Sequence, residues 1–99
     1  MTGDKYTITV PELKRLLTEI RDKRPDICIR YRLMGEMWKE NFVRVILISE
    51  KGAVLSDEIA NTIYIIPDLS NIIQFEIDCR FQAFQPFIHY RLDVLVKTI

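Results

Sequence analysis

Leu13, Leu16, Leu17 and Ile20 recur at the spacing i, i+3, i+4, i+7, while Lys14, Arg15, Glu19, Arg21, Asp22 and Lys23 fill the positions between and beyond them. That spacing draws one apolar stripe along a helix and leaves its other faces polar. The stripe opens at "TVPE", where Thr9 suits the N-cap and Glu12, three residues on, completes a capping box. Pro11 falls in the first turn, where its missing N–H costs nothing, and Ile8 is placed to staple against Leu13. Basic residues gather in the last turn, and Pro25 disfavours helical geometry at Arg24. The pattern predicts a helix over about residues 10–24.

Beyond Pro25 the period changes to two. In "DICIRYRLM", Ile27, Ile29, Tyr31 and Leu33 alternate with Cys28, Arg30, Arg32 and Met34, the mark of a half-buried strand. "GEMWKEN" reads as a turn region and "FVRVILIS" as the next strand, and "EKGA" has glycine where a tight hairpin needs a left-handed residue. A short strand "AVL", a polar connection "SDEIAN", the β-branched run "TIYIIP" and a turn at "DLSN" follow. Two further alternating runs cover residues 73–83 and 88–96, with a turn expected at "AFQP". One helix followed by strands on short turns predicts an α+β fold. An N-terminal amphipathic helix is expected to pack on a curved antiparallel sheet of five or six strands, within a single domain spanning residues 1–99.

Parity also sorts the chemistry. "FEIDCRFQAFQPFIHYRL" gathers Glu76, Asp78, Cys79, Arg80, His89 and Tyr90, with the chain's one histidine. Along a strand, side chains alternate faces, so Cys79 and Tyr90 are expected in the core and Glu76, Asp78, Arg80 and His89 in water. A Cys79–His89 nucleophile pair is then excluded by geometry. Two registers remain open for this hairpin: one sets Asp78 opposite Arg91 and Arg80 opposite His89, the other sets Arg80 opposite Asp93. One histidine is thin support for a metal centre, and Glu76 and Asp78 project side by side rather than across a cleft. The serines lack a nucleophile elbow, and three glycines supply no phosphate-cradling loop. No catalytic residues, metal or cofactor are assigned, and an enzyme is the less favoured class.

Two middle strands depart from clean alternation. In "FVRVILIS", Val43, Val45 and Leu47 form one face, yet Phe42, Ile46 and Ile48 make the other nearly as apolar; in "TIYIIP", Tyr64 and Ile66 oppose Ile63 and Ile65. Strands apolar on both faces need cover on both. One helix about 22 Å long covers one face at most. Either the sheet curls upon itself or a second copy packs against it, and Phe42, Ile46, Ile48, Tyr64 and Ile66 are the residues expected to meet that copy.

Composition changes this picture little. The chain has 99 residues, 48% hydrophobic and 28% charged, with 14 basic and 14 acidic side chains, so no global field draws it to nucleic acid or an anionic membrane. The start "MTGDKYT" does not read as a signal peptide, and two cysteines fit a reducing compartment, so a cytoplasmic protein without membrane association is expected. Cys28 shares a strand face with Arg30 and Arg32, cations that would favour its thiolate. Arg30, Arg32, Trp38, Lys39 and Arg44 form the one basic and aromatic grouping, and such surfaces hold single-stranded nucleic acid by phosphate contact and base stacking. The sequence thus supports a non-catalytic interaction or scaffold module, a homodimer through a sheet face or edge or a binder of another protein. The alternative is a small-ligand or single-stranded nucleic-acid binder using those five residues.

Overall fold

At Thr9 the chain passes directly from strand to helix. Its backbone is extended (φ −87°, ψ 167°), its hydroxyl accepts from the Glu12 amide at 3.4 Å, and Glu12 Oε1 accepts from the Thr9 amide at 2.9 Å. The capping box read from the sequence is therefore formed, and it starts helix α1 at Val10–Lys23. Leu13, Leu17 and Ile20 of the stripe are buried, and the Arg24 amide closes the helix on the Ile20 carbonyl.

A computed structural model describes residues 5–80 and 89–97, and the side chains of 7–78 and 94–97. Strand β1 (Lys5–Thr9) precedes the helix; β2 (Cys28–Leu33), β3 (Arg44–Ile48), β4 (Ala53–Asp57) and β5 (Thr62–Ile66) follow it. A 3₁₀ turn at Leu69–Asn71 then leads to β6 (Ile72–Arg80) and β7 (His89–Lys97). The strands form a four-stranded sheet ordered β1-β7-β6-β2 and a three-stranded sheet ordered β3-β4-β5. Every pairing is antiparallel except β1 with β7. The sheets join where Ile29 and Val43 exchange backbone hydrogen bonds of 2.9 and 2.7 Å. Leu13 and Leu17 from the helix, Ile29, Tyr31 and Phe75 from the larger sheet, and Val45, Leu55 and Ile66 from the smaller one share a single core.

The fold is α+β, one helix packed on two mainly antiparallel sheets. Among the described residues seven strands replace the expected five or six, divided between two sheets rather than arranged in one. The addition is β1, five residues whose partner β7 lies at the far end of the chain. Of the two registers open for the last hairpin, the structure has Asp78 opposite Arg91 and Arg80 opposite His89. In the backbone register Cys79 stands opposite Tyr90, one row from the Arg80–His89 pair. Their side chains, and the turn expected at "AFQP", lie outside the described residues.

Two local expectations are corrected. Asp78 does not face water: it is buried and lines a cavity with Cys28, Glu40 and Phe42, and Glu76 beside it is half-buried against the Arg30 side chain that donates to it. Gly52 is not left-handed; among the described residues the positive-φ glycine is Gly35 (φ 77°). Gly52 is needed for close approach instead. A Cβ there would lie 2.0 Å from the Ile66 carbonyl oxygen, so only glycine lets the β3–β4 turn pass the end of β5.

Candidate interaction surface

Arg30 lies on the β2 face turned away from the core, opposite Glu76 in the β2–β6 register. Its Nε donates to Glu76 Oε1 at 2.9 Å, and its Nη2 donates to the same oxygen. The guanidinium carbon is 5.3 Å from the ring centre of Trp38 and 5.3 Å from that of Phe42. A planar cation held between two aromatic rings and a carboxylate is a strong local tie. It fastens the β2–β3 connection to the sheet, helped by Gly35 and by backbone bonds from Glu36 to Leu33 and from Lys39 to Tyr31.

The rest of the basic and aromatic grouping is committed in the same way. Arg32 Nη2 donates to Gln74 Oε1 at 3.5 Å. Lys39 pairs with Glu36 at 3.4 Å and stands over the rings of Tyr31 and Tyr64 at 5.7 and 5.2 Å. Arg44 belongs to the smaller sheet and pairs with Glu58 at 3.2 Å. Arg30 is thus held against Trp38 and Phe42, and Lys39 against Tyr31 and Tyr64, as two groups on either side of β2, while Arg32 and Arg44 have partners of their own. Burial pushes the Tyr31 phenol up to about 12, with Tyr64 and the carboxylates of Glu36 and Asp57 acting in the same direction.

A cavity of about 270 Å³ reaches from β2 to β3 and is lined by Cys28, Glu40, Phe42, Arg44 and Asp78 among others. The Cys28 thiol therefore has carboxylates as well as a cation near it, which removes the purely cationic setting expected for it. Among the described residues no group of three or more His, Cys, Asp or Glu is arranged to hold a metal.

The smaller sheet presents a different surface. Arg44 pairs across to Ser56 and Val45 to Leu55, but Leu47 pairs to Val54, so Ile46 is an extra residue in β3. This bulge breaks the alternation. Before it Val45 faces the core; after it Leu47 points outward and Ile48 packs against the core. The outer face then carries a cross-strand row Leu47–Val54–Ile65, with Ile63 two residues along β5 and Ile46 at the bulge. Ile46, Leu47, Ile63 and Ile65 are 43%, 52%, 61% and 71% exposed, an unusual concentration of bare aliphatic side chains on one sheet face.

Of the residues expected to meet a second copy, Ile46 is on this surface. Ile66 is buried, and Ile48 and Tyr64 pack against the core. Phe42 is half-buried against Arg30. That set therefore does not form one surface. Leu47, Ile63 and Ile65 were missed; Arg44 and Ser56, paired across β3 and β4, mark the outer face, and the residue opposite Ser56 on β5 is Ile63. Strand β5 is also the last strand of its sheet and pairs with β4 without interruption over five residues.

Comparison of the chain with family models, with curated proteins and with solved structures finds no match. No helix among the described residues is long and apolar enough to cross a membrane.

Proposed function

We propose that this protein is a non-catalytic interaction module that self-associates through the outer face of the β3-β4-β5 sheet. The observation that carries the reading is the exposed group Ile46, Leu47, Ile63 and Ile65, joined through Val54 into one patch. Burying such side chains is favourable by about 25 cal/mol per Å² of apolar area. A second copy brings the same uncharged patch, so one two-fold axis covers both. The cations considered for nucleic acid each have a partner within the chain, which lowers their value as phosphate contacts. A cytoplasmic setting belongs to the same proposal and rests on the low cysteine content.

Light scattering on the eluted protein, with Ile65→Lys and Arg44→Ala variants beside the parent chain, tests this. The parent and Arg44→Ala should both elute as dimers, and raised salt should not dissociate them, because apolar burial is not screened. Ile65→Lys should be monomeric and still folded by circular dichroism. A monomeric parent chain, or a dimer untouched by Ile65→Lys, would contradict the proposal. Tight, salt-sensitive binding of a single-stranded oligonucleotide that Arg44→Ala weakens would favour the alternative.

A further inference from the structure

We draw no further inference here: the strongest candidate, the cavity between β2 and β3 where Glu40, Glu58 and Asp78 gather beside Cys28, is a cluster of carboxylates around a single cysteine, and nothing among the described residues points to a ligand it would hold.

Discussion

Asp57 is buried at the end of β4, and its carboxylate accepts from the Ala60 amide at 2.9 Å, from Asn41 Nδ2 at 3.1 Å and from the Tyr64 hydroxyl at 3.4 Å. The Ala60 donation first, then those of Asn41 and Tyr64, outweigh burial and hold the carboxyl below its ordinary 3.8. A group with a lowered folded-state pKa binds fewer protons folded than unfolded. Its contribution is present above 3.8 and is lost as pH falls through the folded value. The Asp68 and Glu12 carboxyls are lowered by the same kind of amide donation, from Ser70 and Thr9. Thermal unfolding midpoints should therefore fall on acidification below about pH 4, and less steeply in Asp57→Asn; equal slopes would show that Asp57 is not engaged. None of this was legible, because "SDEIAN" reads as a polar connection until Asn41 and Tyr64 are brought to it from elsewhere in the chain. Gly52 was legible as a glycine that matters, though not for its reason. Gly52→Ala should lower stability by about 1–3 kcal/mol or more by chemical denaturation, since backbone rather than a yielding side chain meets the new methyl. An unchanged midpoint would refute the close approach.

At the scale of elements, legibility follows how local the cause is. The helix was readable from end to end, because its cap, stripe and terminating proline lie within one stretch of chain. Thr9→Ala should cost about 1 kcal/mol in denaturant unfolding, and Thr9→Ser should recover most of it, since serine keeps the accepting oxygen. Strand β1 escaped notice although Tyr6 and Ile8 alternate with Lys5, Thr7 and Thr9, because so short a run ending in the helix cap is a weak signal, and what makes it a strand is its pairing with β7. The faces of β3 were misassigned after Val45 because a bulge adds one residue, and beyond it every parity inference inverts. On β5 both parities are apolar, so no alternation marks the core face, and only pairing with β4 decides that Ile66 goes in and Ile65 stays out.

Over the whole molecule, the two surfaces divide the work. The larger sheet turns its polar face to a loop that closes over it, with Arg30 held by Glu76, Trp38 and Phe42. Arg30→Ala should therefore act on stability, by about 1–3 kcal/mol for a charge-assisted bond lost beneath that loop, and leave the oligomeric state unchanged. The smaller sheet leaves its apolar face bare, and a second copy seated on that face would cover it. Sedimentation equilibrium of the unmodified chain over a dilution series tests that explanation most directly. Twice the mass of one chain is expected at the concentrated end, passing to a single chain on dilution and little altered by salt. A single chain at tens of micromolar and above would contradict it.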